Sequence, residues 1–159
     1  MNGSAKEGLI KEIQKLHIRH ELARTIPADY FEPGMMEFLE QSDGNFDEES
    51  GKMIIFFESK GTVYSGRTEQ IEKVKLGDKL IVKRDSSNLH NHNNFLLLTE
   101  KGHDVGCMPV DLCNVIAPLY DDGKLIFENI EVSYVEPISR RSRHAKKAIL
   151  FVKLEALLV

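Results

Sequence analysis

The sequence predicts a mostly β fold with flanking helices, and three observations carry that prediction. From Met53 onward, short apolar runs are punctuated by glycine, the pattern of short strands joined by tight turns. The segment 42–51 is polar, acidic and bracketed by glycines, which reads as a linker. Before it, residues 6–24 carry apolar side chains at helical spacing. The chain therefore divides into an N-terminal helical extension with its acidic linker, 1–50, and a β-rich domain, 51–159.

Each element has its own signal. Leu9, Ile13 and Leu16, flanked by Ile10 and His17, recur three or four positions apart among Lys, Glu and Gln, so 6–24 is an amphipathic helix. Ile26-Pro27 ends it, because the residue before proline disfavours helical dihedrals. A second short helical or irregular segment fits 35–39. Strands are expected at 53–58, 61–66, 79–84, 94–99, 104–108, 125–135 and 147–154. One helix interrupts them at 111–120, with Val110, Leu112, Val115, Ile116 and Leu119 on one side. It starts beside Pro109 and stops at Asp121-Asp122-Gly123, where glycine suits a left-handed cap; Pro118, inside the run, is expected to bend it or leave a tighter turn.

At 159 residues the chain supports one core, which excludes a separate cofactor domain. Hydrophobic residues at 42% and charged residues at 29% place it among globular proteins. The 21 basic and 25 acidic side chains give a net charge of -4, so the molecule as a whole is no basic coat protein. Charge is unevenly spread. Residues 1–60 carry 7 bases and 12 acids, net -5, leaving net +1 for the remainder. Arg140, Arg141, Arg143, Lys146, Lys147 and Lys153 follow Pro137 without an acid among them, a local positive patch where a polyanion is expected. Only Cys107 and Cys113 occur, and no signal-peptide core or long apolar run is present. A cytoplasmic protein with two reduced, structural thiols and no membrane association is the expectation.

The middle of the chain holds the most specific pattern. Leu76-Gly77-Asp78-Lys79-Leu80 leads to Lys83-Arg84-Asp85 and then to Asn88-Leu89-His90-Asn91-His92-Asn93-Asn94-Phe95. Gly102 and Val105-Gly106-Cys107-Met108-Pro109 follow. In order and spacing, residues 55–155 resemble the HIRAN domain family. The resemblance implies a small OB-like β-barrel with one internal helix. It also implies binding of single-stranded DNA at its 3' end, in DNA processing or repair: aromatic rings stack on the terminal bases, an aspartate and neighbouring amides hold the 3' hydroxyl, and basic side chains meet phosphates.

Residue by residue, Arg84 matches the family's arginine, Asn88 and Asn93 its two asparagines, and Tyr64-Ser65-Gly66 its Y-x-G strand. Leu89 stands for the family's proline, His90 for its tyrosine, Asn91 for its aspartate, and Val63 for a second tyrosine. On this basis Tyr64 and His90 are expected to stack bases. Asn88, Asn91 and Asn93 would bond sugar or the terminal hydroxyl, and Arg84 with Arg140, Arg141, Arg143, Lys146 and Lys147 would neutralise phosphate. Plainer roles fit the same residues: turn caps for Asn88 and Asn93, a structural arginine for Arg84, a barrel residue for Tyr64 and a soluble hairpin tip for the basic run.

The histidines and cysteines, including His90-Asn91-His92, fit no zinc spacing, so no metal or other cofactor is expected. No phosphate-binding loop, serine-hydrolase elbow or zinc-protease motif is present. The expected function is therefore non-enzymatic binding of single-stranded DNA or DNA ends, alongside a helicase or ATPase partner and with homodimerisation through the N-terminal helix open. The alternatives are a protein-interaction module and a small metal-dependent hydrolase.

Overall fold

In a computed structural model of the chain, the structure describes residues 8, 9, 11, 12, 45–47, 49–138 and 147–159. The element order is β1 (Asn45–Phe46), β2 (Lys52–Glu58), α1 (Arg67–Ile71), β3 (Leu80–Asp85), β4 (Asn94–Thr99), β5 (Asp104–Cys107), α2 (Val110–Asp121), β6 (Leu125–Glu136) and β7 (Ile149–Leu158). These form two antiparallel sheets, β1-β2-β7-β6 and β3-β4-β5. Two isolated bridges, Lys60 to Cys107 and Lys79 to Glu131, join the sheets at opposite corners. The strands thus run β6-β3-β4-β5-β2-β7 around a closed barrel, which leaves few exposed edges.

Alternation along the strands builds the core. Met53, Ile55 and Phe57 of β2 face inward and meet Ala156, Leu154 and Val152 of β7 in register. From the other sheet come Phe95, Leu97 and Val105, with Leu112, Ile116 and Leu119 from α2. Each such side chain contributes roughly 1.5–3 kcal/mol by leaving water. Phe95 also makes edge-to-face contacts with Tyr120 at 5.3 Å and Phe127 at 5.6 Å, tying α2 and β6 to β4.

Gly106 closes the barrel near its functional end. Its φ is +123°, and a Cβ there would stand 2.0 Å from Ser59 Oγ and 2.9 Å from the Lys60 carbonyl. Only glycine permits that approach, which lets Lys60 and Cys107 exchange backbone hydrogen bonds of 2.9 and 3.0 Å. Gly123, at φ +73°, ends α2: its N–H donates to the Tyr120 carbonyl and Lys124 N–H to the Leu119 carbonyl, the double bond of a Schellman cap.

The expected strand at 61–66 is instead a turn. Gly61, Ser65 and Gly66 all take left-handed dihedrals, at φ 70°, 58° and 72°, which no extended segment accommodates. The turn leads into α1, which the sequence reading missed. In the acidic linker, Asn45 and Phe46 pair with Ile54 and Met53 of β2. Most of the helix expected at 6–24, and the segment at 35–39, lie outside the described residues. Of the helix, Gly8, Leu9, Lys11 and Glu12 are described and helical, and Leu9 is fully buried in the core.

Candidate nucleic-acid interface

An open groove of about 930 Å³ lies where four segments converge. The turn after β2 and the first residue of α1 supply Lys60, Gly61, Tyr64, Ser65 and Arg67; the β3–β4 loop and the start of β4 supply Asn88, His90, Asn91 and Asn94. Cys107, Met108 and Pro109 come from the end of β5, and Val110 and Asp111 from the first turn of α2. Tyr64 is 68% exposed and His90 is exposed, so both rings are open to a ligand. Val110, also exposed, adds apolar surface to the groove, and Val63 and Leu89, next in sequence to the two rings, are exposed as well.

The β3–β4 loop is shaped by its own asparagines. Asn88 Oδ1 accepts from the His90 N–H at 2.9 Å and the Asn91 N–H at 3.1 Å. Its Nδ2 donates to Asp85 Oδ2 at 3.1 Å, an oxygen that also accepts from Asn94 Nδ2 at 3.1 Å. These are Asx-turn bonds that hold His90 in place. Asn91 Oδ1 accepts from the Asn93 N–H at 3.0 Å. A backbone N–H can only donate, so this bond fixes which end of the Asn91 amide is oxygen. Its Nδ2 is enclosed and has no partner among the described residues, at a cost of about 1–3 kcal/mol. Asn93 does not line the groove; its Nδ2 donates to Asn114 Oδ1 on α2 at 3.2 Å.

Arg84, expected to meet phosphate, is committed to the protein. Nε and Nη2 donate to the two Asp121 oxygens, both at 3.0 Å. Nη1 donates to the carbonyls of His92 at 2.7 Å and Asn94 at 3.2 Å, and the guanidinium lies 5.4 Å from the centroid of Phe95. The side chain clamps the end of the β3–β4 loop to the end of α2. Hydrogen bonding to Arg84 holds the Asp121 carboxyl below its usual range.

A second arginine was missed by the sequence reading. Arg67 Nε and Nη2 donate to Asp104 at 2.9 and 3.1 Å, and Nη1 to the Gly61 carbonyl at 3.0 Å, pinning the Tyr64 turn to β5. Its spacing from Asp104, 37 residues, leaves no local trace in the sequence. The groove is consequently close to neutral. Arg67 is balanced by Asp104, Asp111 adds a carboxylate, and Lys60 Nζ stands 3.8 Å from Glu58.

Arg140, Arg141, Arg143 and Lys146 lie outside the described residues. Lys147 Nζ is 3.9 Å from Glu58 Oε2. The described flanks of the basic run bond to α1 and its C-cap: the Ile138 N–H donates to Glu72 Oε1 and the Ala148 N–H to Thr68 Oγ1, each at 3.3 Å.

Cys107 and Cys113 are both free thiols. Burial pushes the Cys113 thiol up to about 11, and it donates to the Met108 carbonyl at 3.4 Å. Among the described residues no three His, Cys, Asp or Glu side chains gather as metal ligands, and no helix is long and apolar enough to cross a membrane.

The family model of the HIRAN domain matches residues 53–147. No curated protein matches the chain. The crystal structure of the HIRAN domain of human HLTF is 14% identical, over 66% of this chain and 76% of that one, with a TM-score of 0.49. A protein from Lactobacillus plantarum is 17% identical, over 69% of this chain and all of that one, with a TM-score of 0.52. The second similarity supports the barrel fold.

Proposed function

The chain belongs to the HIRAN domain family, and on that premise we propose that it is a non-enzymatic module that binds single-stranded DNA by its terminal nucleotides. The observation that carries the reading is the nearly neutral groove with two exposed rings, Tyr64 and His90, at its mouth. A neutral, ring-lined groove suits bases rather than a bare phosphate backbone. Stacking contributes about 1–3 kcal/mol per base and is indifferent to base identity. A duplex keeps its bases paired and offers no faces to stack on.

Within this reading Tyr64 and His90 stack on the last bases, and Asn91, which lines the groove with them, lies against the terminal sugar at the 3' end. Asn88 and Arg84 act indirectly, holding His90 and Asn91 in position. The basic run 140–147 is the source of phosphate contacts in this reading. A double variant, Tyr64→Ala with His90→Ala, tests the assignment by fluorescence anisotropy on a short labelled strand. Affinity is expected to fall at least about 30-fold, taking roughly 1 kcal/mol or more per ring. Unchanged affinity would remove both rings from the site.

A further inference from the structure

A second hollow, of about 360 Å³, is lined by residues next in sequence to the Arg67–Asp104 pair. Its walls include Gln70 and Lys73, three and six positions beyond Arg67, and His103, the residue before Asp104. The groove and the hollow therefore draw on adjoining stretches of the chain, at α1 with the turn after it and at the start of β5. Lys73 and Lys101 rim the hollow, are exposed, and make no ion pair among the described residues. The third lysine is occupied: Lys79 Nζ donates to Asn129 Oδ1 at 2.7 Å and to Glu131 Oε2 at 3.2 Å. Asp78 and Glu100 also line the walls, and Asp78 Oδ2 is held by the Lys75 N–H at 2.9 Å.

We infer that this hollow is a second contact for the same strand, in which Lys73 and Lys101 take backbone phosphate, with His103 beside them, as the chain leaves the groove. The inference rests on the groove reading and supplies what the groove lacks. The groove is near neutral and offers base-stacking faces, whereas the hollow offers two uncommitted ammonium groups. Six residues along α1 and the turn after it advance about 9 Å, roughly the length of three stacked nucleotides. A strand confined to the groove thus stops short of the lysines, and one longer by about three nucleotides reaches them.

The test compares strands of about 4 and about 12 nucleotides on the full-length chain carrying Lys73→Ala and Lys101→Ala. Neither substitution removes an intramolecular ion pair among the described residues, so folding is undisturbed. The 12-mer is expected to lose about 5- to 30-fold in affinity, and its log–log salt slope to become shallower by about 1.4, near 0.7 per phosphate on a single strand. The 4-mer is expected to change less than twofold. In amide NMR spectra of the wild type, residues 73 and 101–103 should shift with the 12-mer and stay unmoved by the 4-mer. Equal losses on both lengths, or an unchanged slope with the 12-mer, would overturn the second contact while leaving the groove intact. Failure of the wild type to bind either strand would overturn the groove reading and this inference with it.

Discussion

Replacing Arg84 by alanine separates a structural arginine from a phosphate ligand. The side chain is 17% exposed, and Asp121 is 49% exposed. Half in solvent, their bidentate pair is worth only about 0.5–1 kcal/mol. The two bonds to the His92 and Asn94 carbonyls add about 1 kcal/mol each, and the position over Phe95 about 0.5. Arg84→Ala is therefore expected to cost about 3 kcal/mol, a fall of about 1–3 M in the urea midpoint. Under conditions where the variant is folded, single-strand affinity drops because the loop carrying His90 and Asn91 loses its anchor. The salt slope stays as in the wild type, since no phosphate contact has gone. The pair also has a pH signature. Asp121 is held below the usual carboxylate range, so its contribution is complete above about pH 4 and is lost as pH falls through the lowered folded-state value. The stability gap between wild type and Arg84→Ala should narrow below that pH. Destabilisation under about 0.5 kcal/mol, with a salt slope shallower by about 0.7, would refute the clamp and make Arg84 a phosphate contact.

Gly106→Ala should cost about 3 kcal/mol or more, because its Cβ would meet Ser59 Oγ at 2.0 Å in a left-handed backbone; a thermal melt close to wild type would contradict the barrel closure. Tyr64→Ala alone should lower single-strand affinity by about 5- to 150-fold. It should move the melting temperature by less than about 2 °C, because the ring is largely exposed. A thiol reagent should modify Cys107 readily in the native protein and Cys113 only after denaturation, given its burial and raised thiol value; rapid native labelling of both would mean that α2 opens.

Much of the barrel was legible because its signals are local. Alternation at Met53, Ile55 and Phe57 marks β2, and Pro109 with Gly123 brackets α2. Pro118, expected to bend the run or leave a tighter turn, sits exposed in the last turn of the helix, which runs on to Asp121. The 61–66 segment misled because apolar and aromatic content suggested a strand, while three left-handed residues, one of them a serine, decided for a turn. The groove was legible in part. Tyr64, Asn88, His90 and Asn91 converge there. Lys60, Arg67, Asn94, Met108 and Asp111 were missed, because what brings them together is the Lys60–Cys107 bridge and the Arg67–Asp104 pair, contacts between residues 47 and 37 positions apart. The commitment of Arg84 to Asp121 was equally invisible, being a contact across 37 positions.

The central claim is that a near-neutral, ring-lined groove takes the bases of a single strand. Its most direct measurement is fluorescence anisotropy of the wild-type chain on a 12-nucleotide strand and on the matching duplex, at about 50 and about 200 mM salt. The account predicts single-strand binding at least about tenfold tighter than duplex binding, with the preference kept at the higher salt because stacking is not screened. Equal binding of strand and duplex that collapses at the higher salt, or no binding of the strand at either salt, would contradict it.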